Sequence, residues 1–208
     1  MYKKYVAEFI GTFALTCVVL LLSAVGWPGF FGAIVAGLVL GLFVYTIGPI
    51  SGCHINPAVT LAQLSVKKIS GKDALYYILA QLLAAFLALL LSGVHWNGPT
   101  YAGVMPVMFK TQHFVAEVLG TFFFAFGIAA VVYGKAKEQM SGMVVGGSLF
   151  FGALVASFAG AMGILNPAVA LAVNYDNLLL VSMYMLAPIV GAILGFQVYK
   201  FLVTEKQV

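Results

Sequence analysis

Asn56-Pro57-Ala58-Val59 and Asn166-Pro167-Ala168-Val169 are two copies of one short stretch, each set in apolar sequence too short to cross a bilayer. Asparagine is a strong N-cap, and proline is favoured at the first helical position, where its missing N–H loses no bond. The helix-compatible sequence that follows is brief, Ala58 to Val66 in the first copy and Ala168 to Val173 in the second. A short helix that starts at membrane depth must have its backbone buried in protein or facing a water-filled cavity. Two such helices related by an internal repeat predict half-helices meeting near the midplane, where inverted-repeat membrane proteins place a transport site.

Composition agrees with a bilayer as solvent. The 208 residues are 63% apolar and 8% charged, with a mean hydropathy of +1.08, far outside soluble usage. The length accommodates about six spans of roughly 20 residues each. Met1-Tyr2-Lys3-Lys4 followed by an apolar run has the look of a signal peptide, but no convincing cleavage site follows, so the run is read as a retained span. The expected spans are Tyr5–Val25, Phe30–Ile47, Ala74–Leu91, Phe114–Tyr133, Gly142–Ala159 and Leu178–Phe201, with the half-helices after the second and the fifth. Cys17 and Cys53 suggest no disulfide framework, and Cys/His metal spacing is absent, so no metal or cofactor is expected.

Orientation comes from lysine, because the chain has no arginine. Lys3, Lys4, Lys67, Lys68, Lys72, Lys135, Lys137, Lys200 and Lys206 fall on one side of the six-span arrangement, and Lys110 falls on the other. The positive-inside rule then puts both termini in the cytoplasm, with the chain in the cell (inner or plasma) membrane. The net charge of +4 reflects lysines that flank spans, so no nucleic-acid partner is expected.

The repeat extends over both halves. Ala7-Glu8-Phe9-Ile10-Gly11-Thr12 is answered by Ala116-Glu117-Val118-Leu119-Gly120-Thr121, and Glu8 to Asn56 is 48 positions against 49 from Glu117 to Asn166. Ala80-Gln81-Leu82-Leu83-Ala84-Ala85 is answered by Ala187-Pro188-Ile189-Val190-Gly191-Ala192. Three spans per half set the halves in opposite orientations, so the half-helices enter from opposite faces. The fold class is therefore all-α membrane, six spans plus two re-entrant half-helices in an inverted 3+3 repeat. One membrane domain over 1–208 is expected, its halves about 1–110 and 111–208.

Two Asn-Pro-Ala boxes, two Ala-Glu-x-x-Gly-Thr openings and the run Ser51-Gly52-Cys53-His54-Ile55-Asn56-Pro57-Ala58-Val59-Thr60 resemble the aquaporin (major intrinsic protein) family along essentially the whole chain. The resemblance implies a passive channel for water or small neutral solutes, assembled as a homotetramer in the lipid bilayer. Helix physics points the same way. Paired half-helix N-termini put partial positive charge at the pore centre, opposing cations and protons. The Asn56 and Asn166 carboxamides can cap through oxygen and offer N–H groups to the lumen; the alternative is that they are caps only.

Glu8 and Glu117 are the carboxylates within the spans. Intramembrane acids are suspects for proton relay, but each also recurs where it could accept backbone hydrogen bonds from the loop feeding a half-helix, and that buttress reading is favoured. His54 has two readings, a gate or a satisfied polar group; a lumen-facing, non-gating role is favoured. Cys53 is expected near the inner vestibule, against the alternative of an inert buried thiol. Gly37/Gly41, Gly191/Gly195 and Gly142, Gly146, Gly147 and Gly152 predict close helix crossings. Phe122, Phe123, Phe124 and Phe126 suggest a packing or lipid-facing stripe, and Trp27, Trp96 and Tyr101 suit outer interface positions.

The departure from the family pattern follows the second box. Water- and glycerol-conducting members usually carry Arg there, whereas this chain has Val169, then Ala170 where glycerol facilitators carry an acid. By resemblance the other filter positions fall on Ala36, Leu154 and Gly163. Such a ring has no fixed charge and no side-chain donor, so a polar solute entering in single file would lose hydrogen bonds without replacement. Without that Arg, and without the His that water channels commonly carry at the fifth-span position (Leu154 here), volume is freed, and a broader, more apolar filter favours glycerol, ammonia, hydrogen peroxide or the undissociated hydroxides of boron and arsenic. Some microbial family members linked to arsenite permeation are similar in carrying Val there. A coupled secondary transporter and an occluded structural protein are the alternatives; an enzyme is not expected, because no nucleophile–base pair is present.

Overall fold

The computed structural model describes residues 2–24, 29–95, 110–173 and 177–204. Among them run α1 (Lys3–Ala24), α2 (Phe30–Ser51), α3 (Pro57–Ser65), α4 (Gly71–His95), α5 (Thr111–Val132), α6 (Ser141–Phe158), α7 (Pro167–Val173) and α8 (Leu178–Val203), with a 3-10 turn at Glu138–Met140. Six of these helices are long and apolar enough to cross a membrane, and α3 and α7 are the short pair. Trp27, Trp96, Tyr101, Lys206 and the loop 174–176 lie outside the described residues.

Helix ends differ from the sequence expectation where local chemistry extends them. α2 continues through Pro49 to Ser51 rather than stopping near Ile47. It ends where Gly52 turns left-handed at φ 86°, its N–H reaching Gly48 O at 2.8 Å, a conformation glycine adopts at no steric cost. α4 starts at Gly71, with the Ser70 hydroxyl accepting the Asp73 N–H at 3.1 Å. Asp73 therefore sits in the first turn of α4. It takes Lys4 Nζ at 2.8 Å and the Tyr5 hydroxyl at 2.8 Å, fastening α1 to α4 at the lysine-rich end.

The repeat is visible in which helices touch. α1 packs on α4 as α5 packs on α8, α1 on α2 as α5 on α6, and α2 meets α6 between the halves. Each half-helix lies against the last span of the other half, α3 on α8 and α7 on α4. Gln197 in α8 donates to Ser65 O at 3.3 Å and Ser65 Oγ at 3.2 Å, holding the end of α3.

Small residues decide how near the helices come. A Cβ on Gly146 would stand 2.3 Å from Gly37 O, and one on Gly41 would stand 2.8 Å from Gly142 O, so the α2–α6 crossing is backbone on backbone. Gly191 and Gly195 meet Val118 O and Phe122 O of α5 in the same way. Lipid supplies no hydrophobic drive between spans, so such close packing carries the association. Gly147 is different: none of the described residues outside its own turn of helix lies within 4 Å of its Cβ position. The phenylalanine run also divides, with Phe124 buried and Phe123 40% exposed on the outer face.

Candidate functional site

The two loops that feed the half-helices are built by one plan. Backbone φ is positive at Cys53 (51°) and Ile55 (38°) in the first, and at Gly163 (68°) and Leu165 (55°) in the second. These are equivalent positions, three and one before each asparagine. Non-glycine residues rarely hold such angles unless their surroundings over-determine them. Here a buried glutamate does so. Glu117 Oε1 accepts the N–H groups of Gly163 at 2.6 Å and Ile164 at 3.1 Å, and Oε2 that of Leu165 at 3.0 Å. Glu8 accepts the N–H of His54 at 2.9 Å and of Ile55 at 2.6 Å, plus the Ser51 hydroxyl at 2.7 Å and Gln81 Nε2 at 2.9 Å.

The donor sets differ for a reason in the sequence. Ser51 Oγ accepts the Cys53 N–H at 3.1 Å and donates its own hydrogen bond to Glu8 Oε1 at 2.7 Å. The equivalent of Ser51 is Ala161, so Gly163 N–H goes straight to Glu117. The equivalent of Gln81 is Pro188, which has no side-chain donor. Both glutamates are fully buried, with all their carboxylate oxygens turned to loops or neighbouring helices.

The asparagines face each other. Asn56 Oδ1 caps α3 through the Ala58 N–H at 2.8 Å, and Asn166 Oδ1 caps α7 through the Ala168 N–H at 3.0 Å. One amide hydrogen then crosses the repeat: Asn56 Nδ2 donates to Leu165 O at 2.9 Å and Asn166 Nδ2 donates to Ile55 O at 3.0 Å. An NH₂ group has two hydrogens, so each amide keeps one beyond the crossing bond. Both side chains border the central cavity.

Sequence reading passed over a second repeated pair. The Tyr77 hydroxyl donates to Ser51 O at 2.6 Å, and the Tyr184 hydroxyl accepts the Met162 N–H at 3.2 Å. Both tyrosines lie three residues before the repeated Ala80 and Ala187, a signal the alignment of halves contains. His54 Nδ1 lies 3.1 Å from Thr60 Oγ1, its ring is edge-on to Tyr77 with centroids 5.0 Å apart, and it borders the cavity.

A cavity of about 390 Å³ runs from the lysine-poor mouth, beside Ser23 and Gly29, down to His54 and both asparagines. Its wall is largely aliphatic and includes Phe124. Of the four positions expected to form the filter, Ala36, Gly163 and Val169 border this cavity. Leu154 is not among its lining; Ala153 and Ser157 of the same helix take that wall, while Leu154 packs against core side chains. One residue is about 100° of helix, so the face of α6 turned to the lumen is Ala153 and Ser157. Cys53 is also absent from the cavity wall; it is 5% exposed, within the cluster that holds Leu40 and Val59.

Comparison with known proteins agrees with this geometry. Residues 1–199 match the model of the major intrinsic protein family. The chain belongs to that family. Nodulin-26 of Glycine max is 36% identical over 95% of this chain and 76% of its own, and aquaporin AqpM of Methanothermobacter marburgensis is 31% identical over 98% of each. Among solved structures, the aquaglyceroporin of Plasmodium falciparum superposes with a TM-score of 0.73 at 25% identity, covering 96% of this chain and 97% of that one.

This major intrinsic protein is accordingly an integral membrane channel for water and small solutes, and not an enzyme. Its two asparagine boxes lie back to back beside a continuous cavity, and the wall next to the second box carries Val169. Val169 is 2% exposed and packs with Leu20, Ala85 and Ala88, so α1 and α4 support it from behind.

Proposed function

We propose that this channel's selectivity is broadened from water towards small neutral solutes, with glycerol, ammonia, hydrogen peroxide and the undissociated hydroxides of boron and arsenic as the class. The observation that carries the reading is the filter wall. Ala36, Ala153, Ser157 and Val169 border the cavity with small, uncharged side chains, Gly163 adds none, and the chain has no arginine to add a fixed charge. An opening lined by small apolar residues lays aliphatic wall against the carbon or metalloid centre of a solute. The outer half of the path, at about 390 Å³, falls within the range of about 300–1,000 Å³ usual for small-molecule sites.

The passive mechanism follows from where the ionisable groups are. Glu8 and Glu117 have their oxygens occupied by loop N–H groups and by Ser51 and Gln81. A coupled transporter needs an acid or base that a cation can reach; the ionisable side chain on the cavity wall is His54, whose Nδ1 is engaged with Thr60 Oγ1 at 3.1 Å. The amide hydrogens of Asn56 and Asn166 not used in the crossing bonds are donors for a passing oxygen, and the half-helix dipoles oppose cations there. Both termini are cytoplasmic in this reading, from the lysine distribution, and the assembly is a homotetramer in the cell membrane, as the family resemblance implies.

Reconstituted liposomes test it. Water, glycerol and arsenous acid permeabilities are measured in one preparation, with and without imposed ion gradients. Glycerol and arsenous acid fluxes well above protein-free vesicles, indifferent to the gradients, are the expected result. Flux of water alone would refute the solute class, and gradient-dependent uptake would refute the passive mechanism.

A further inference from the structure

The repeat breaks at the first turn of α5. Counted from the paired glutamates, His113 and Phe114 stand where the first half has Lys4 and Tyr5. Counted from the paired tyrosines, Leu180 stands where the first half has Asp73. The helix caps keep the same correspondence, Ser70 Oγ accepting the Asp73 N–H at 3.1 Å and Asn177 Oδ1 the Leu180 N–H at 3.1 Å. In the first half Asp73 takes both Lys4 and Tyr5. In the second half the basic side chain is retained and its carboxylate is gone: Leu180 packs with Tyr184, and Phe114 lies against that apolar cluster. His113 is 5% exposed, and its Nδ1 is buried with no hydrogen-bond partner among the described residues. Buried polar atoms are nearly always paired, so this one marks a site held short of its best arrangement.

The ring backs the wall of the path. Gln112 Nε2 donates to Ala159 O at 3.0 Å, and a Cβ on Gly160 would stand 3.5 Å from that nitrogen and 4.0 Å from His113 Cδ2. Gly160, Ala161 and Met162 in turn border the cavity. The first turn of α5 therefore holds the loop 159–162 from behind. Charges around the ring give an imidazolium nothing to face. On α5, Lys110 is of like sign and precedes it by one turn, while Glu117, one turn inward, has its oxygens taken by the N–H groups of Gly163, Ile164 and Leu165. On α8 the nearby titratable group is Tyr184, whose hydroxyl accepts the Met162 N–H at 3.2 Å. The end of α6 and the loop 159–165 carry no ionisable side chain.

We infer that His113 is a proton sensor of the lysine-poor mouth: the neutral ring seats the loop 159–162 against α5, and the charged ring, lacking the carboxylate that Lys4 has, unseats that loop and narrows the path. A charged group without a counter-charge must regain water, and the residue's small exposure gives both proton and water a way in. Histidine is the side chain whose charge changes in the physiological range. The device acts on every solute alike, so it does not depend on which solute the channel passes. It responds to pH itself and not to a gradient, since a gradient with both sides above about pH 7 leaves the ring neutral and the flux unchanged.

The test measures water and glycerol permeability of wild type, His113→Gln and His113→Phe in proteoliposomes with equal pH on both sides, with thermal stability alongside. Glutamine keeps a polar side chain, phenylalanine keeps a ring, and neither takes a charge. Wild-type permeability to both solutes should fall about threefold or more from about pH 7.5 to about pH 5, the interval over which imidazole charges. Both variants should hold a flat profile near the neutral-pH value of wild type. A merely structural role would alter the variants' flux or stability at neutral pH and leave their pH profile like that of wild type. A flat wild-type profile would overturn the inference, as would a fall that persists in both variants and so belongs to His54 or to another group.

Discussion

Asn56 and Asn166 each donate an amide hydrogen to the carbonyl that precedes the other, Asn56 to Leu165 O at 2.9 Å and Asn166 to Ile55 O at 3.0 Å. Each asparagine thus caps its own half-helix and ties its loop to the other half. The N-termini of α3 and α7 are joined by side chains that also border the path.

That arrangement separates two roles by substitution. Asn56→Ser keeps an oxygen for the Ala58 N–H but cannot reach across to Leu165 O. The buried carbonyl is left without its donor, at a cost of about 1–3 kcal/mol. Thermal unfolding in detergent should fall accordingly, and solute flux should fall with it. An Asn56→Ser protein as stable as wild type would show that the crossing bond contributes nothing.

The glutamates give a second expectation. Glu117→Gln replaces one acceptor oxygen by an NH₂ group facing an N–H of the 163–165 loop, where Glu117 has only backbone donors. Glu8→Gln is softened, because Ser51 and Gln81 can rotate to accommodate it. Glu117→Gln should therefore be the more destabilising of the two, and in wild type a pH gradient should leave glycerol flux unchanged. Gradient-driven flux abolished by either variant would make these acids proton carriers instead.

The Asn-Pro-Ala boxes and the Glu8/Glu117 openings were legible because cap, proline and repeat are local signals read without coordinates. Leu154 was misplaced for a physical reason. It was counted back from Asn166 through a loop and a helix end, and a one-residue slip there rotates the lumen-facing side by about 100°. Ser157 emerged only once the loop at Gly163 was seen to lie on α6. The tyrosine pair Tyr77 and Tyr184 was present in the repeat but carried no motif, since a tyrosine at a span end reads equally as an interface anchor.

Packing at the α2–α6 crossing predicts a contrast within one helix. Gly146→Ala drives a methyl into Gly37 O, whereas Gly147→Ala meets none of the described residues beyond its own helix within 4 Å. The first should cost about 1–3 kcal/mol through forced separation of the helices, and the second should be neutral or slightly stabilising from helix propensity. Thermal melts of the two variants side by side decide it. Equal losses would mean that the crossing tolerates a methyl after all.

Val169→Arg tests the filter itself. Val169 borders the cavity with Leu20, Ala85 and Ala88 at its back, so a longer side chain has room only toward the lumen. It would narrow the path and add donors and a charge. Glycerol flux should drop at least tenfold while water persists, and proton leak should stay the same or fall. Untouched solute selectivity would remove Val169 from the filter.

Cys53 gives the last expectation, and here burial in the core cluster favours the second of the two sequence readings, the inert buried thiol. By symmetry with Gly163 the thiol belonged at the inner vestibule wall, but at position 53 the side chain turns into the core instead. Its backbone is left-handed at φ 51°, its N–H is held by Ser51 Oγ, and the residue is 5% exposed among apolar neighbours. At Gly163 that direction is taken by Ala153 O and Ser157 Oγ of α6, so the pseudo-symmetric pair shares a backbone but not a surface. A thiol so placed is shielded from reagents in the water path and behaves as a small hydrophobe. Brief treatment with mercuric ion should leave glycerol and water flux within twofold of the untreated channel, and Cys53→Ser should not alter that response. Rapid block by mercuric ion that Cys53→Ser removes would place the thiol at the pore wall and reject the inward orientation.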